Sequence, residues 1–242
     1  MTLTRIGLLG GMSWESTAVY YRTLNETVRN RVGGHASAPL LLWSAEFGAI
    51  EALQRAGDWD AQGRILAEAA VGLQQAGAAA VALATNTLHL VADQITAAID
   101  VPFIDLIEVV GTAATGFPTV GLLGTGYTMT SELYPKRLAH YGVEVIVPSA
   151  AERELVHRVI YEELLHGVVT DASREAYLGV IDGLVERGAG AVVLGCTEIG
   201  MLVGAGDTAV PLLDTTRLHC QALADVIIDG LGPAGPEKER VT

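Results

Sequence analysis

The feature that most constrains the fold is the alternation of short, predominantly apolar runs with longer stretches of helical periodicity. The apolar runs read RIGLLG, PLLLWS, AAVALA and VPFI in the first half of the chain and TVGLLG, VEVIVP, AVVLG and VPLLD in the second. Helical periodicity covers 14–31, 61–75, 150–166 and 173–187. Strands that are apolar on both faces and separated by helices are typical of a parallel sheet covered by helices on both sides. The sequence therefore predicts an α/β fold.

The two halves of the chain match one another in three places and in the same order. IGLLGGM matches VGLLGTG at an offset of 114 residues, AGAAAVALATNT matches RGAGAVVLGCTE at 111, and VPFID matches VPLLD at 109. A slowly drifting offset indicates an internal duplication. A duplicated α/β unit predicts two pseudo-symmetric lobes, each a parallel sheet covered by helices, that face one another across a cleft.

The matched VPFID and VPLLD segments also suggest how the chain is divided. Each can end the sheet of one lobe before the chain crosses to the other. We expect residues 1–103 to form lobe one, with 214–231 returning to it as a final helix, and 104–213 to form lobe two. Residues 232–242 are turn-rich and charged, so we expect a disordered tail there.

Composition argues against several classes of function. The formal net charge of −13 argues against nucleic acid and anionic membranes as partners, because phosphates would be repelled. The two cysteines, Cys196 and Cys220, form no C-x-x-C motif, the histidines lack metal-ligand spacing, and no nucleotide-binding glycine motif is present. There is no signal-peptide pattern and no apolar run of the roughly 18 residues that span a bilayer. We expect a cytoplasmic protein without a metal or nucleotide cofactor.

Two matched strand-to-helix turns carry the candidate chemistry, with Thr85 in one and Cys196 in the other. The carboxyl ends of parallel strands form the functional edge of such sheets, so the two turns should face one cleft from opposite sides. Two opposed groups that exchange protons suit the inversion of a stereocentre, since one removes a proton from a carbon and the other returns one to the opposite face. Turns of small residues and buried cysteines also occur without any catalytic role, and the duplication is what favours the functional interpretation.

Helix starts after these turns could assist the chemistry. The segment TEIGML after Cys196 reads as the beginning of a helix, whose N–H groups are expected to lower the thiol pKa and to bind a carboxylate. NTLHL after Thr85 reads in the same way, and its His89 could support the site or be structural. GTGYTM and GGMSWEST are two further glycine turns. Together, the four turns could hold a small zwitterion through neutral donors.

On these residues the chain resembles the aspartate/glutamate racemase family. The resemblance runs from Ile6 to about Leu231, and its most specific segments are GGMSWESTAVYY, TNTLH, LLGTGYTM, GCTEI and VPLLDTTRLH. It implies two pseudo-symmetric lobes, each a parallel four-stranded sheet covered by helices, with the active site in the interlobe cleft. It also implies a two-base mechanism that uses no metal and no pyridoxal phosphate, that is, no cofactor.

Most members of the family carry a cysteine at both turns, whereas Thr85 stands here in place of the first. In this respect the chain resembles a bacterial subgroup specific for L-aspartate and L-glutamate. By that similarity Cys196 is the base for the L-enantiomer and Thr85 reprotonates the carbanion from the other face. The turns and the resemblance together predict a substrate-binding set of Met12, Gln54, Asn86, Thr87, Thr125, Thr128, Thr197 and Glu198. At position 46 this chain has a glutamate, whereas relatives usually have an aspartate there.

Three functions remain open at the level of sequence. The first is a racemase acting on aspartate, glutamate or a close relative. The second is an isomerase or decarboxylase of a small diacid that uses Cys196 alone, and the third is a non-catalytic dicarboxylate binder, against which the retained Cys196 weighs. The sequence cannot place any arginine in the cleft to meet a side-chain carboxylate, the candidates being Arg22, Arg55, Arg64 and Arg137. A homodimer is also expected, because relatives commonly form dimers.

Overall fold

The computed structural model describes residues 2–231. The first lobe contains β1 (Ile6–Gly10), α1 (Trp14–Val32), β2 (Leu40–Ser44), α2 (Phe47–Ala56), α3 (Trp59–Gln75), β3 (Ala80–Leu83), a 3₁₀ turn (Thr87–Val91), α4 (Ala92–Ala98) and β4 (Phe103–Ile104). The second contains α5 (Leu106–Ala114), β5 (Thr119–Gly124), α6 (Gly126–Thr130), α7 (Leu133–Ala139), β6 (Glu144–Ile146), α8 (Ala150–Glu162), a 3₁₀ turn (Leu164–His166), α9 (Asp171–Glu186), β7 (Ala191–Gly195), α10 (Ile199–Leu202) and β8 (Leu212–Asp214). The last described helix is α11 (Thr215–Asp229).

Two four-stranded sheets, both fully parallel, form the centre of the two lobes. Their strand orders are β2-β1-β3-β4 and β6-β5-β7-β8, so the second lobe repeats the topology of the first. The central strands β1, β3 and β7 are buried along their whole length, as the apolar runs predicted. The predicted fold class, two pseudo-symmetric α/β lobes with four-stranded sheets, is confirmed.

Each sheet separates two apolar clusters, because successive side chains of a strand point to opposite faces. In β1, Leu8 packs with Tyr20 and Leu24 of α1, whereas Leu9 packs on the other face with Leu66 of α3. The second lobe is built in the same way, with separate clusters on the two faces of β5 and β7. The carboxyl ends of the central strands are therefore held rigidly at one edge of each sheet.

The last helix, α11, lies at the junction of the lobes. It packs against α1 and α5, and its Cys220 and Leu223 belong to the apolar cluster around Leu8. His219 is fully buried, with Nε2 2.9 Å from the Ile104 carbonyl oxygen and Nδ1 3.0 Å from the Tyr20 hydroxyl. The division into residues 1–103 with 214–231 and residues 104–213 stays a proposal, and the expected tail lies outside the described residues.

Several helix boundaries differ from those that the periodicity predicted, α1 and α9 by one or two residues and α3 and α8 for local reasons. Helix α3 begins at Trp59, two residues early, because the Asp58 side chain caps it by accepting from the Ala61 N–H at 2.9 Å. The helix predicted for 150–166 ends at Glu162 and is followed by the 3₁₀ turn and by Gly167 in the left-handed region. Within residues 2–231, no helix combines the length and apolar character needed to cross a membrane.

Candidate active site

A small cavity of about 40 Å³ lies where the carboxyl ends of the central strands of the two sheets meet. Four turns contribute to it, those that follow β1, β3, β5 and β7. Nine of the ten predicted site residues line it, namely Met12, Gln54, Thr85, Asn86, Thr87, Thr125, Cys196, Thr197 and Glu198. The matched turns that carry Thr85 and Cys196 thus open into one cavity from different lobes.

Cys196 directly follows β7, whose last residue, Gly195, packs closely against the neighbouring strand β5. A Cβ atom on Gly195 would lie 2.8 Å from the Leu123 carbonyl oxygen, so the strand can end in this position only with glycine. Cys196 is a partly buried residue, and it lines the cavity. The Cys196 Sγ donates a hydrogen bond to Glu198 Oε2 at 2.9 Å.

Glu198 joins the two lobes at the cavity. It is 3% exposed, and its Oε1 accepts hydrogen bonds from the Ser13 hydroxyl at 2.8 Å and the Ser16 hydroxyl at 2.5 Å. Ser13 is the N-cap of α1 and Ser16 lies in its first turn, so both donors belong to the first lobe. With the Cys196 thiol, three side-chain donors satisfy a buried carboxylate, which is the condition for keeping such a group in a protein interior.

The expectation that a helix N-terminus lowers the Cys196 pKa is wrong for this structure. Burial raises the pKa of the thiol well above its usual value, and the neighbouring Glu198 carboxylate raises it further. The backbone N–H groups of Thr197 and Glu198 act in the opposite direction without reversing the shift. Helix α10 has only four residues, so it adds little to these two N–H groups. With its pKa raised in this way, the Cys196 thiol is protonated near neutral pH.

His89 supports the turn that carries Thr85. Its Nε2 accepts from the Leu106 N–H at 3.2 Å, which places the ring proton on Nδ1. Nδ1 therefore donates to the Thr85 carbonyl oxygen, 2.7 Å away. Burial lowers the pKa of His89, which keeps the ring neutral. His89 thus holds the backbone of the Thr85 turn without lining the cavity itself. A supporting position of this kind was one of the two interpretations of His89 from the sequence.

Asn86 is held from the second lobe and from α11. Its Oδ1 accepts from the Tyr134 hydroxyl at 2.5 Å, and its Nδ2 donates to the Thr215 hydroxyl at 3.1 Å. Thr215 in turn donates to the Leu194 carbonyl oxygen of β7 at 2.8 Å. This chain of hydrogen bonds fixes the turns after β3 and β7 relative to one another.

A triangle of threonine hydroxyls also crosses between the lobes. Thr87 lies 3.1 Å from Thr125 and 3.0 Å from Thr128, and the hydroxyls of the last two are 3.2 Å apart. Thr128 is fully buried and does not line the cavity, unlike the other predicted site residues. The structure places its hydroxyl behind Thr87 and Thr125.

The remaining corner of the cavity is formed by the turn after β1 and by α2. Gly11 has φ of +87°, and a Cβ atom there would lie 2.3 Å from the Ala45 backbone nitrogen. Only glycine fits this turn, which brings Met12 to the cavity. Glu46 is the N-cap of α2 and accepts from the Gly48 and Ala49 N–H groups at 2.9 and 2.7 Å. Glutamate in place of the aspartate that relatives usually have thus still provides a carboxylate cap for α2, the helix that carries Gln54.

Several residues of the site were not found from the sequence. The cavity is also lined by Ser16, Phe47, Ile160, Tyr161, Leu165 and Gly195, and Ser13 reaches it through Glu198. Ser13 and Ser16 lie in the motif GGMSWEST, and that motif was the signal from which they could have been predicted as site residues. The apolar residues of α2, of α8 and of the 3₁₀ turn after α8 follow ordinary helical periodicity, so the sequence gave no signal for them. Within the part of the chain that the structure describes, no three His, Cys, Asp or Glu side chains are grouped to hold a metal ion.

Known families and solved structures relate this cavity to an enzyme class. The profile of the family Asp/Glu/Hydantoin racemase matches residues 9–223. A candidate Asp/Glu racemase from Yersinia pestis is 44% identical, with a TM-score of 0.87 and coverage of 93% of this chain and 99% of that chain. An aspartate racemase homologue from Pyrococcus horikoshii is 33% identical, with a TM-score of 0.82 and the same coverage. The Picrophilus torridus aspartate racemase, at 20% identity, a TM-score of 0.73 and 93% coverage of each chain, shows the fold alone.

These matches confirm the resemblance that the motifs indicated. The family profile covers most of the chain, and it includes all four turns that line the cavity. The chain therefore belongs to the Asp/Glu/Hydantoin racemase family and is a racemase, an isomerase by class.

Proposed function

We propose that this racemase inverts the Cα centre of a small α-amino acid without a cofactor, using Cys196 as the base for the L-enantiomer and Thr85 as the opposing acid. Aspartate and glutamate are the substrates that the names of its relatives suggest testing first. The observation that carries the proposal is that Thr85 and Cys196, from matched turns of the two lobes, line one cavity. A two-base inversion requires proton-exchanging groups that reach the same carbon from opposite sides.

The base must first lose its own proton. The Cys196 thiol donates to Glu198 Oε2 at 2.9 Å, so the carboxylate is positioned to receive that proton. The resulting thiolate removes the Cα proton and leaves a carbanion. Whichever of the two groups holds the proton, Cys196 and Glu198 together carry one negative charge, which is opposite in sign to the ammonium group of the substrate.

The return step explains why a hydroxyl can replace a thiol. Thr85 donates its proton to the opposite face of the carbanion, and the proton that Glu198 received returns through solvent to the Thr85 oxygen as it does so, because a free alkoxide is far too basic to persist near pH 7. A hydroxyl is therefore an acceptable acid but a poor base. Cys196 then keeps the Cα proton as its thiol proton, and Glu198 is again a carboxylate. Asn86, Thr125 and Thr197 line the cavity as neutral polar groups, and in this proposal they bind the substrate carboxylate.

The decisive experiment measures Cα deuterium exchange from pure L- and D-amino acids in deuterium oxide by NMR, with variants of each cysteine. We expect Cys196→Ala to lose more than nine-tenths of the exchange and racemisation rates, which corresponds to a barrier increase above about 1.4 kcal/mol. Cys220→Ala is the matched control, because that thiol is buried in the apolar cluster around Leu8. If Cys196→Ala keeps more than about a tenth of the activity, the thiol is not the base.

The same assay separates the remaining alternative. An isomerase or decarboxylase of a small diacid that uses Cys196 alone would release carbon dioxide or convert the diacid without inverting any amino acid. Either result would replace the racemisation proposal. The non-catalytic binder is not proposed, because the chain belongs to a family of racemases.

A further inference from the structure

His157 packs behind the cavity on helix α8. It precedes Ile160 and Tyr161 by three and four residues, so the three side chains share one face of the helix. Ile160 and Tyr161 line the cavity, whereas His157 contacts the turn after β5 that carries Thr125. The racemisation proposed above uses Thr125 to bind the substrate carboxylate and leaves His157 without a role.

The contact with this turn is a hydrogen bond to the backbone. His157 Nδ1 accepts from the Gly126 N–H at 3.0 Å. Gly126 is the first residue of α6, and N–H groups in the first turn of a helix have no partner within the helix. Thr125 is the N-cap, and its side chain accepts from the Thr128 N–H at 3.3 Å. His157 therefore supplies the acceptor for the first N–H of α6, directly after Thr125.

Aromatic rings hold His157 in this position. Its ring centroid lies 4.5 Å from that of Tyr161 and 6.0 Å from that of Tyr127, which meets it edge to face. Tyr127 also meets Trp59 of the first lobe edge to face, with the ring centroids 5.9 Å apart. Such ring pairs are attractive beyond the area that they bury. The imidazole is thus fixed between the wall of the cavity and an aromatic contact that crosses between the lobes.

Protonation of His157 removes its acceptor, because an imidazolium carries an N–H at both ring nitrogens and then presents one of them to the Gly126 N–H. Burial lowers the pKa of His157 from its ordinary value of 6.5, so the ring is neutral near pH 7. Because the folded-state pKa is lowered, the contribution of this hydrogen bond is present above pH 6.5 and is lost as the pH falls through the folded-state value.

The ionisable groups that face His157 are the phenols of Tyr127 from α6 and Tyr161 from α8, and phenols are uncharged in the acidic range. Strand β5 contains no ionisable side chain, and α9 presents Tyr177, whose hydroxyl donates to the Val156 carbonyl oxygen at 2.8 Å. The charged or titratable side chains on α8 and on the elements beside it are exposed or bound elsewhere, namely Glu51, Arg153, Glu154, Arg158, Glu162 and His166.

We propose that His157 is a positioning residue for substrate binding, which in its neutral form holds the turn that places Thr125 in the cavity and which releases that turn when it is protonated. This inference rests on the proposed racemisation for the role of Thr125, and it adds to that role an acid-side loss of substrate affinity.

Rescue by a conservative variant tests the proposal, with racemisation kinetics measured on the amino acid that exchanges fastest. His157→Asn keeps an acceptor at the position of Nδ1 and does not titrate, whereas His157→Leu removes the acceptor. At pH 7.5 we expect His157→Leu to raise KM about two- to tenfold, the range for one lost hydrogen bond, with kcat within about twofold of wild type. His157→Asn should stay within about twofold of wild type in both constants.

The pH profile separates positioning from a purely structural role. Between pH 7.5 and 5.5, kcat/KM of wild type should fall about threefold more than that of His157→Asn. His35→Asn is the matched control, because His35 is exposed between α1 and β2, and it should follow wild type. A His157→Asn profile that falls as steeply as wild type, or an unchanged KM in His157→Leu, would overturn the inference and leave the racemisation proposal intact.

A double variant tests whether His157 acts through Thr125. In a Thr125→Val background, His157→Leu should raise KM less than about twofold, because the hydroxyl that it positions is gone. An undiminished effect in that background would overturn the inference. Absence of racemisation from every amino acid would overturn the proposed function and with it the role of Thr125. In that case ¹⁵N NMR decides separately whether His157 holds the turn, since the Gly126 amide must then titrate together with the His157 ring below pH 6.5.

Discussion

The hydrogen bond between Ser16 and Glu198 connects residues 182 positions apart, and its loss should be measurable in both stability and activity. All three groups around Oε1 are 3% exposed, so Ser16→Ala removes a buried donor from a charged acceptor that cannot turn to water. Hydrogen bonds to charged groups are worth about 1.5–3 kcal/mol. In a protein of this size, that loss lowers Tm by about 3–12 °C.

The coupling between the two residues is the more specific measurement. Glu198→Gln keeps the shape of the acceptor and removes its charge, so the bond from Ser16 becomes an ordinary neutral one. Chemical denaturation of wild type, both single variants and the double variant then gives a coupling energy, which we expect to be about 1 kcal/mol. The singles should also slow Cα exchange, because Glu198 holds the Cys196 thiol.

A second serine provides the control for this cycle. Ser173 is 6% exposed and donates to Glu163 at 2.6 Å within the second lobe, away from the cavity. Ser173→Ala should lose comparable stability without coupling to Glu198→Gln and without slowing exchange. If Ser16→Ala and Glu198→Gln are additive within about 0.3–0.5 kcal/mol, the bond does not join the lobes as described.

Two further predictions concern Thr85 and His219. In Thr85→Cys, the exchange rate from the D-enantiomer should rise relative to that from the L-enantiomer, measured at early times. An unchanged ratio in a variant that still binds substrate means that Thr85 only anchors the substrate. Burial lowers the pKa of His219 to about 3, so its stabilising contribution is present above pH 6.5 and is lost as pH falls toward 3. Between pH 6.5 and 5, wild type should lose about 2 kcal/mol more than His219→Gln in urea unfolding, and equal losses would contradict this assignment.

The parts of this molecule that follow from local pattern were predictable. The strands β1, β3 and β7 are apolar on both faces because both faces are buried, and that leaves a readable run in the sequence. The duplication predicted that Thr85 and Cys196 belong to equivalent turns, because the matched segments fall in strands of equal position in the two sheets. The homodimer expected from the resemblance stays a prediction.

The parts that depend on distant packing were not predictable. The raised pKa of Cys196 comes first from burial, which a turn motif does not encode, and then from Glu198. The carboxylate two residues after the cysteine was visible in GCTE, but its orientation toward the sulfur rests on Ser13 and Ser16 from the other lobe. Thr128 was predicted from the motif GTGYTM, and only the packing of α6 decides that its hydroxyl turns toward Thr87 instead of the cavity.

One matched turn carries the Cys196 thiol and the other the Thr85 hydroxyl, and only some kinetic measurements can reveal this difference. The equilibrium constant between enantiomers is one, so kcat/KM must be equal in the two directions however poor a base Thr85 is. The asymmetry can therefore appear in kcat and KM taken separately and in steps that do not complete the inversion, but not in kcat/KM. A thiolate that removes the Cα proton of the L-enantiomer can exchange it with solvent and return deuterium to the same face. The hydroxyl of Thr85 has no comparable route from the D-enantiomer, because it must first become an alkoxide. If Cys196 and Thr85 act as proposed, exchange without inversion in the L-pool is thus the expected consequence of placing a thiol at one turn and a hydroxyl at the other.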